Sequence, residues 1–595
     1  MSPATLNDIF FAAAEHNLER AMLYRESGRW LPISSSELRR NVAGTARALR
    51  ARGIAKGDRV AILSENRPEW STADFAILLL GAVTVPVYST LTAEQTAFTL
   101  TDSGASAIFV STDAQLRKIQ AILPQTQLRK IIVMDRVQLS GEGDANCVRM
   151  DQSMYDGPGR LDPEIEACAR SIQPDDLATI IYTSGTTGNS KGAILTHGNM
   201  ASNIACSLLG FDMRPGQTSI SFLPLSHVTA RHVDFSMLYH GVTLAYCPFM
   251  EDLSTAFLEV QPSLCVSVPR VYEKIYGKTE MTARDFPKSA VYRWALSVGR
   301  KHEPSILAGT TPTSLSWKIA NRLVFSRIRA GLGGRVETFI SGGAPLGREL
   351  ADWFATVGIR IHEGYGLTET SPVIAVNTPI HHRIGTVGKI LPNLEVRIAD
   401  DGEILVRGPS VFKGYWNRPQ ETQNAFQDGF FKTGDIGNID ADGYLSVTDR
   451  KKELIKTSGG KFIAPQPIEN SLKLSPLVGT AVVVGDKRKF ACVLISPNFA
   501  LLEDWARSNK VSFSSRDELI ANPSVQTMFE GLVEGTNQKL ARFEKMKRVV
   551  LVADEFTAEN GALTPTMKLR RRVVEARYRR QIDEVYAETE SSLTP

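Results

Sequence analysis

The chain has 595 residues, enough for several domains at the usual size of about 100–200 residues each. Its 68 basic and 64 acidic residues give a net charge of +4, which is too close to balance to predict a nucleic-acid-binding surface. The six cysteines form no CxxC pair and no Cys/His cluster, so we expect reduced thiols in a cytoplasmic protein rather than disulfides or a zinc site.

The amino terminus predicts no export signal, because Met1–Tyr24 carries acidic residues and lacks a basic segment followed by an apolar one. The most apolar run, Phe75–Val87, is shorter than the roughly 20 residues of a membrane span, and Gly81 and Pro86 interrupt it. It predicts a buried helix that passes into a strand. Peripheral contact with the inner face of a membrane stays open as an alternative to a purely cytoplasmic location.

Apolar runs typical of strands alternate with segments of helical period along the chain. The predicted elements are a helix over Ser36–Arg52, a strand over Arg59–Leu63, a helix over Trp70–Leu80, strands over Ala107–Val110, Lys130–Met134, Ala178–Tyr182, Ser219–Leu223 and Leu264–Val268, and helices over Ser289–Lys301 and Ser316–Gly331. Such βαβ alternation predicts an α/β fold with mainly parallel sheets.

The most informative segment is Tyr182–Gly192, which reads YTSGTTGNSKG and follows a predicted strand. Its glycines let the backbone approach a polyphosphate, and its hydroxyl and amide groups can donate hydrogen bonds to it. Lys191 adds a positive charge for the outer phosphates. The spacing fails the Walker A pattern, because the fifth residue after Gly185 is Ser190 rather than glycine. We therefore predict a phosphate-binding loop of another class, in preference to a flexible surface turn.

The predicted secondary structure changes twice in the second half of the chain. Ile384–Val447 is rich in strand-like runs and Asp-Gly turns, and a domain boundary is predicted near Thr448–Lys452. Taken alone, the charged cluster Asp449–Glu453 is typical of a solvated turn. A small α+β domain is predicted after it, with strands over Val482–Val484 and Cys492–Ile495 and a terminal helix over Val573–Val585.

Together these motifs resemble the adenylate-forming superfamily of acyl-CoA synthetases, luciferases and peptide-synthetase adenylation domains. Tyr182–Gly192 is similar to its phosphate loop nearly letter for letter. The segments that follow in family order are Ser341–Pro345, similar to the adenine-binding turn, Glu363–Glu369, similar to the adenine-stacking and metal segment, Thr433–Asp435, similar to the ribose turn, Asp449–Glu453, similar to the interdomain hinge, and Gly561–Lys568, similar to the catalytic-lysine segment. The resemblance implies a large α/β N-terminal domain with a β-rich portion over residues 1–448, a hinge over 449–453 and a small mobile α+β domain over 454–595.

The implied activity is that of an ATP-dependent ligase that forms an acyl-adenylate and transfers the acyl group to coenzyme A. Lys568 is expected to bridge the carboxylate and the α-phosphate, and Glu369 with Thr183 to hold Mg²⁺. The implied ATP- and AMP-binding set is Thr183, Ser184, Gly185, Thr186, Thr187, Gly188, Lys191, Gly343, Ala344, Pro345, Glu363, Gly364, Tyr365, Gly366, Thr368, Asp435 and Arg450, with Tyr365 on adenine and Asp435 and Arg450 at the ribose.

For the second half-reaction the resemblance implies a rotation of the C-terminal domain about Asp449, which withdraws Lys568 from the site. Gly459 and Gly460 are similar to the loop that lines the pantetheine path of coenzyme A. Small residues there let the backbone pass close to the thiol arm.

Several features favour a long-chain acid. Phe222–His227 and Val268–Ile275 resemble long-chain fatty acyl-CoA synthetases, and Tyr276–Gly334 is a long helical insert like one in that subgroup. His227 is expected near the mouth of the acyl pocket, with a purely structural histidine as an equal alternative. Arg231 and His232 depart from the pattern of those relatives, and they either gate the acyl tunnel or line its rim.

Two alternatives remain. One is another adenylating enzyme, either an aryl-acid ligase or a ligase that loads a carrier protein. The other is a non-catalytic nucleotide-binding regulatory protein, against which Lys568, Glu369 and Asp435 argue. The expected partners are a fatty acid, ATP and coenzyme A, with no nucleic acid. The sequence leaves the acyl chain length and the oligomeric state open.

Overall fold

The computed structural model of the chain describes residues 2–135, 147–150, 159–183, 190–283, 288–557, 559–564 and 568–591. It contains a large N-terminal domain and a smaller C-terminal domain, in line with the predicted architecture. In these ranges, no helix combines the length and the apolar composition needed to cross a bilayer.

The first part of the N-terminal domain builds a largely parallel sheet. Its strands are β3 (Arg59–Leu63), β4 (Val83–Val87), β5 (Ala107–Val110), β6 (Lys130–Val133), β7 (Cys147–Arg149), β8 (Leu177–Thr183) and β9 (Lys191–Thr196), while β1 (Met22–Glu26) and β2 (Arg29–Ile33), which precede them in the chain, belong to the second sheet. Its helices are α1 (Leu6–Glu15), α2 (Ser35–Ala51), α3 (Pro68–Leu79), α4 (Ala93–Ser103), α5 (Asp113–Ile122), α6 (Pro163–Ser171) and α7 (His197–Ser207), with a 3₁₀ turn over Leu123–Gln125. Strands β3 to β8 pair in parallel, and β9 turns back antiparallel to β8.

The second part adds a sheet whose described strands number nine, in the order β16-β15-β14-β13-β12-β10-β11-β1-β2. The new strands are β10 (Thr218–Ser221), β11 (Thr243–Tyr246), β12 (Leu264–Ser267), β13 (Thr338–Ser341), β14 (Ile361–Gly366), β15 (Val373–Val376) and β16 (Lys389–Ile390). The helices are α8 (Val228–Tyr239), α9 (Leu253–Val260), α10 (Pro269–Thr282), α11 (Lys288–Leu307), α12 (Leu315–Ala320), a π-helical segment over Asn321–Phe325, α13 (Ser326–Ala330) and α14 (Arg348–Thr356), with a 3₁₀ turn over Thr368–Thr370. The central pairs of this sheet are parallel, as predicted.

The predicted β-rich portion is an antiparallel sheet at the end of the N-terminal domain. Its elements are β17 (Glu395–Ile398), β18 (Glu403–Arg407), β19 (Gly414–Tyr415), α15 (Pro419–Ala425), β20 (Phe426–Gln427), β21 (Phe430–Ile439) and β22 (Leu445–Arg450). Strand β19 leaves this sheet and pairs with β9 of the first one. This pairing sets Tyr415 opposite Ala193, so a residue more than 200 positions downstream lies beside the predicted phosphate loop.

The C-terminal domain has its own apolar core. Its elements are β23 (Ile455–Lys456), β24 (Phe462–Ile463), α16 (Pro465–Lys473), β25 (Val478–Val484), β26 (Ala491–Pro497), α17 (Phe499–Ser508), α18 (Arg516–Ala521), α19 (Pro523–Asn537), β27 (Met546–Leu551), α20 (Arg571–Arg577) and α21 (Arg579–Ser591). The prediction of a single terminal helix over Val573–Val585 is wrong. Tyr578 departs from helical geometry, with φ −101° and ψ 18°, and separates α20 from α21, although the i→i−4 backbone hydrogen bonds continue across it.

Helix α3 shows why the two sheets pack as they do. All residues of Pro68–Leu79 except the half-buried Glu69 are buried, and the helix contacts β3 and β4 of one sheet and β1 of the other. Pro68 stands at the first helical position, where its missing N–H costs nothing. A helix that is covered on all sides belongs between layers, as the apolar run Phe75–Val87 predicts.

Candidate functional site

The predicted phosphate loop joins β8 to β9. Thr183 ends β8 opposite Lys191, and its hydroxyl donates to the Lys191 carbonyl at 3.4 Å. This hairpin fixes both ends of the loop. The predicted binding residues Ser184, Gly185, Thr186, Thr187 and Gly188 lie outside the described residues.

Asp102 anchors the base of that hairpin. Its carboxylate accepts the Tyr182 hydroxyl at 2.7 Å and pairs with Arg418 at 3.1 Å, while its carbonyl accepts the Trp416 indole N–H at 2.9 Å. Burial, followed by the hydrogen bond to Asp102, raises the pKa of Tyr182 far above its ordinary value, so the hydroxyl stays a donor. Two chain segments, one at Asp102 and one at Trp416 and Arg418, therefore hold the strand that leads into the loop.

The predicted adenine turn connects β13 to α14. Gly343 has φ +83°, a left-handed conformation that favours glycine. The Glu363 carboxylate, on the neighbouring strand β14, accepts the Leu346 N–H at 3.2 Å and so ties the turn to that strand. Burial raises the pKa of Glu363 to about 7, and the Leu346 hydrogen bond opposes the rise. Gly343, Ala344 and Pro345 thus form a braced turn beside β14.

Strand β14 also carries the predicted adenine-stacking residue. The Tyr365 hydroxyl donates to Asp435 Oδ2 at 2.7 Å, and Arg450 Nε lies 3.5 Å from Asp435 Oδ1. Asp435 and Arg450 face each other across β21 and β22. Burial raises the pKa of Asp435 and Arg450 opposes the rise. The structure therefore brings together the residues predicted at adenine and ribose.

Close approach explains one glycine of this segment. A Cβ on Gly366 would lie 1.7 Å from the Pro372 carbonyl oxygen, so no larger residue fits at the β-bulge between Tyr365 and Gly366. The bulge ends the strand and leads into the 3₁₀ turn with Thr368 and Glu369. Bulges of this kind re-aim side chains next to functional sites.

Tyr415 connects the predicted metal ligand to the phosphate hairpin. Its hydroxyl donates to Glu369 Oε1 at 2.8 Å, and Lys191 Nζ lies 5.3 Å from the centre of its ring. Burial and the Glu369 charge raise the pKa of this tyrosine, so it remains a donor. The Glu369 carboxylate is consequently oriented toward the same region as Lys191.

Lys568 extends from the C-terminal domain into the cleft above these residues. Its side chain is accessible, yet protein atoms crowd it on the sides of the cleft. This crowding lowers its pKa to about 8; Arg450 adds to the effect, and the nearby charges of Asp435 and Glu369 oppose it. The cation therefore stands among the residues predicted at ribose and metal.

His227 lies beside Lys568 and caps helix α8, where its Nδ1 accepts the Thr229 N–H at 3.1 Å. Burial, with Lys568 adding to it, lowers the pKa of His227 to about 3, so the ring is neutral. Two residues further on, Thr229 lines a mostly apolar cavity. Its wall also includes Gly343 and Tyr365 of the adenine region.

The structure corrects one expectation and refines another at this cavity. Arg231 does not gate or line it: the guanidinium is buried and binds Asp74 on α3 through two bonds of 2.6 and 2.7 Å. His232 does line the cavity, and its Nε2 lies 2.9 Å from the Ser207 hydroxyl. Polarity suggested a pocket role for both side chains, but an acidic partner 157 residues away draws Arg231 into the core.

Asp449 lies between the domains and is buried, in contrast to the solvated turn that its charged neighbours suggest. Its carboxylate accepts the Arg450 N–H at 2.6 Å and the Gln466 N–H at 3.2 Å in the first turn of α16. Burial raises its pKa to about 6, and these hydrogen bonds oppose the rise. One side chain of β22 thus holds the start of a C-terminal helix.

Gly459 and Gly460 lie in the turn between β23 and β24. Gly460 has φ +76°, which favours glycine, and the turn is held by the Lys461 carbonyl and by the Arg488 carbonyl of the same domain. No described hydrogen bond joins this turn to the residues around Lys568. The structure therefore brings the lysine to the cleft and leaves the predicted thiol-path glycines apart from it.

Sequence reasoning missed Asp102 and Tyr415, which hold the phosphate hairpin and Glu369. Neither belongs to a motif with a recognisable spacing. Their roles depend on the pairing of β19 with β9, which joins residues more than 200 positions apart. A single sequence carries no signal for such a pairing.

The chain is similar to known proteins along most of its length. A model of AMP-binding enzymes matches residues 10–416, and a model of the C-terminal domain of AMP-binding enzymes matches residues 452–590. The chain is 36% identical to long-chain-fatty-acid–CoA ligase FadD15 of Mycobacterium bovis, over 97% of this chain and 98% of that protein. It is 31% identical to the peroxisomal long chain acyl-CoA synthetase 7 of Arabidopsis thaliana, over 99% and 87%.

Among solved structures, the adenylation domain of a carboxylate reductase from Mycobacterium chelonae matches with a TM-score of 0.76 at 23% identity. The match covers 98% of this chain and 91% of that domain. At this identity the likeness shows the shared fold and nothing finer.

Proposed function

Because this chain belongs to the AMP-binding enzyme family and is an AMP-forming acid–thiol ligase, we propose that it activates a long-chain fatty acid as the acyl-adenylate and transfers the acyl group to coenzyme A. The observation that carries the proposal is the position of Lys568 in the cleft, beside Asp435, Glu369 and His227. A cation so placed suits the meeting of two anions, a carboxylate and a triphosphate.

In the first step a carboxylate oxygen attacks the α-phosphorus of ATP, and pyrophosphate leaves. We assign the ribose hydroxyls to Asp435 and Arg450 and the adenine face to Tyr365. The hydrogen bond from Tyr365 to Asp435 supports this assignment, since it fixes both side chains before the nucleotide arrives. Lys568 would neutralise the charge that develops between the acid and the α-phosphate.

Glu369 and Thr183 are the residues that would hold Mg²⁺. Their carboxylate and hydroxyl oxygens suit a hard cation, and in the described part of the chain no cluster of three or more His, Cys, Asp or Glu residues offers a competing metal site. Magnesium commonly takes one or two carboxylates and lets substrate phosphates complete its shell. Bound there, the ion would neutralise phosphate charge.

In the second step the thiol of coenzyme A loses its proton and attacks the acyl carbon, and AMP leaves. We propose that the C-terminal domain, from residue 454 onward, rotates about Asp449 between the steps. Two observations support this. Lys568 is in the cleft while Gly459 and Gly460 are not, and the Asp449 carboxylate is bonded to the first turn of α16. A single site can serve both steps only if Lys568 leaves the cleft after the first step and the loop with Gly459 and Gly460 takes its place for the second.

The long-chain substrate rests on two supports. FadD15 and acyl-CoA synthetase 7 are named for long-chain acids, and the cavity next to the adenine region is mostly apolar. The test is a series of saturated fatty acids and matched aryl acids with ATP, Mg²⁺ and coenzyme A, in which acyl-AMP and acyl-CoA are quantified separately. A rise in kcat/KM with chain length is expected. Preference for aryl acids would refute the long-chain substrate, and acyl-AMP without acyl-CoA would refute coenzyme A as the acceptor.

A further inference from the structure

The second half of the helical insert between β12 and β13 differs in charge from the rest of the chain. Between Glu303 and Glu337 there is no acidic residue, while Lys318, Arg322, Arg327, Arg329 and Arg335 are basic. The whole chain is close to neutral, with 68 basic and 64 acidic residues. A concentration of one sign in one segment is typical of a surface that meets an anionic partner.

The same segment exposes aliphatic side chains. Leu315, Ile319 and Leu323 follow each other at intervals of four residues and are 73%, 44% and 42% exposed. On the opposite side, Trp317, Ala320 and Phe325 are buried against the domain. The segment is thus firmly packed on one side and leaves an apolar stripe uncovered on the other.

Basic side chains accompany this stripe. Lys318 and Arg322 are exposed next to Ile319 and Leu323, and neither forms an ion pair within the described residues. We call the five residues Leu315, Lys318, Ile319, Arg322 and Leu323 the basic–apolar face. The neighbouring helix α11, which contacts α12 through His302 and Trp317, also leaves Trp294 39% exposed. Tryptophan is enriched at membrane–water boundaries.

We propose that the basic–apolar face docks on the surface of an anionic lipid bilayer. Aliphatic side chains of a helix lying in the plane of the interface enter the acyl boundary, while lysine and arginine bury their stems and reach the anionic headgroups. Each basic residue near such a surface contributes roughly a fivefold increase in affinity.

Charge complementarity favours this occupant over the two others that such a face could have. A second copy of the chain would set the same basic residues against each other in a twofold contact, with no acidic residue between Glu303 and Glu337 to compensate. A nucleic acid would satisfy the basic residues through its phosphates but would leave the aliphatic stripe without an apolar partner. A bilayer satisfies both.

The test is co-sedimentation of the full chain with vesicles of phosphatidylcholine and phosphatidylglycerol in equal amounts, compared with phosphatidylcholine alone. Strong binding to the anionic vesicles that declines with salt is expected. Lys318→Gln with Arg322→Gln should weaken that binding roughly 25-fold. Leu315→Ser with Ile319→Ser should weaken it as well and should leave the residual binding more sensitive to salt.

Matched controls lie elsewhere on the surface. Arg39→Gln removes an exposed basic residue of α2, and Ile380→Ser removes a side chain that is 75% exposed. Both should bind vesicles like the unmodified chain, and all variants should retain thioester formation with a soluble acid, which verifies their folding. Equal binding by the face variants and the controls would overturn the proposal. So would concentration-dependent dimers or RNA binding that the face variants abolish while vesicle binding stays intact.

Discussion

The buried ion pair between Arg231 and Asp74 offers a stringent test of how the two halves of the N-terminal domain are held together. Arg231 on α8 and Asp74 on α3 are 1% and 0% exposed, and the Thr84 hydroxyl donates to the same carboxylate at 2.7 Å. Breaking a buried pair by removing one partner leaves a charge that neither water nor another group can compensate. The replacement Arg231→Met should therefore cost about 3–5 kcal/mol of unfolding free energy.

The double replacement Arg231→Met with Asp74→Leu should recover most of that loss. Desolvation of both ions is expensive, and Arg231 Nη1 is buried with no hydrogen-bond partner among the described residues, so the pair does not fully repay its burial. An apolar pair of similar volume avoids that cost. The comparison between the single and the double variant therefore separates the loss of a partner from the loss of packing.

Urea unfolding followed by tryptophan fluorescence provides the measurement, because Trp70 lies on α3 one turn before Asp74 and 6.0 Å from the Arg231 guanidinium carbon. Arg25→Met is the matched control: its pair with Glu259 is 34% exposed on both sides, and its loss should cost under about 1 kcal/mol. A loss of similar size in both single variants, or a double variant no more stable than Arg231→Met, would refute the reasoning.

The stability of the single variant Arg231→Met should also depend on pH. Burial raises the pKa of Asp74, while Arg231 holds it down. Without the arginine, the folded state binds a proton at this carboxyl more tightly than the unfolded state does. Stability is then greatest at low pH and declines as pH rises through the folded pKa, so the deficit of Arg231→Met should shrink in acidic buffer.

The remaining predictions concern the site. Lys568→Ala should reduce ATP–pyrophosphate exchange roughly 100- to 1,000-fold and spare thioester formation from supplied acyl-adenylate; equal losses in both steps would contradict its role. Because crowding lowers the Lys568 pKa to about 8, the charge is complete below that pH, and kcat/KM for the exchange should fall as pH rises through it. Lys568→Arg should flatten this fall, and an unchanged profile would exclude Lys568 as its origin. Asp449→Pro should impair one half-reaction more than the other, in contrast to the uniform loss expected of a damaged fold. Tyr415→Phe removes the hydrogen bond to Glu369 and should raise the Mg²⁺ concentration for half-maximal exchange about tenfold, whereas Tyr444→Phe should not.

The sequence predicts elements best where one rule dominates locally. The strands Arg59–Leu63 and Ala107–Val110 have the predicted bounds, because a strand covered on both faces reads as a continuous apolar run. Asp435 and Arg450 stand across from each other as the resemblance implies, because adjacent antiparallel strands carry them.

The sequence does not predict the position of a side chain when that position depends on a residue far away along the chain. Arg231 has the polarity of a pocket residue, but the fold brings Asp74 to it and buries both side chains. The contribution of Tyr415 likewise depends on the pairing of β19 with β9. Each of these contacts joins segments whose relation is set by the whole fold, and no local pattern encodes it.

The Asp102 anchor has a consequence for the order in which the chain matures. The indole that donates to its carbonyl, on Trp416, lies 220 residues beyond Thr196, where the hairpin ends (416 − 196). At about 5–20 residues per second, synthesis of that interval takes roughly 11 to 44 s. During this time the hairpin of the phosphate loop has already been synthesised but lacks Trp416 and Arg418 to brace it. The nascent chain is therefore expected to bind nucleotide only late in synthesis, after β19, the last strand of the first sheet, has been made.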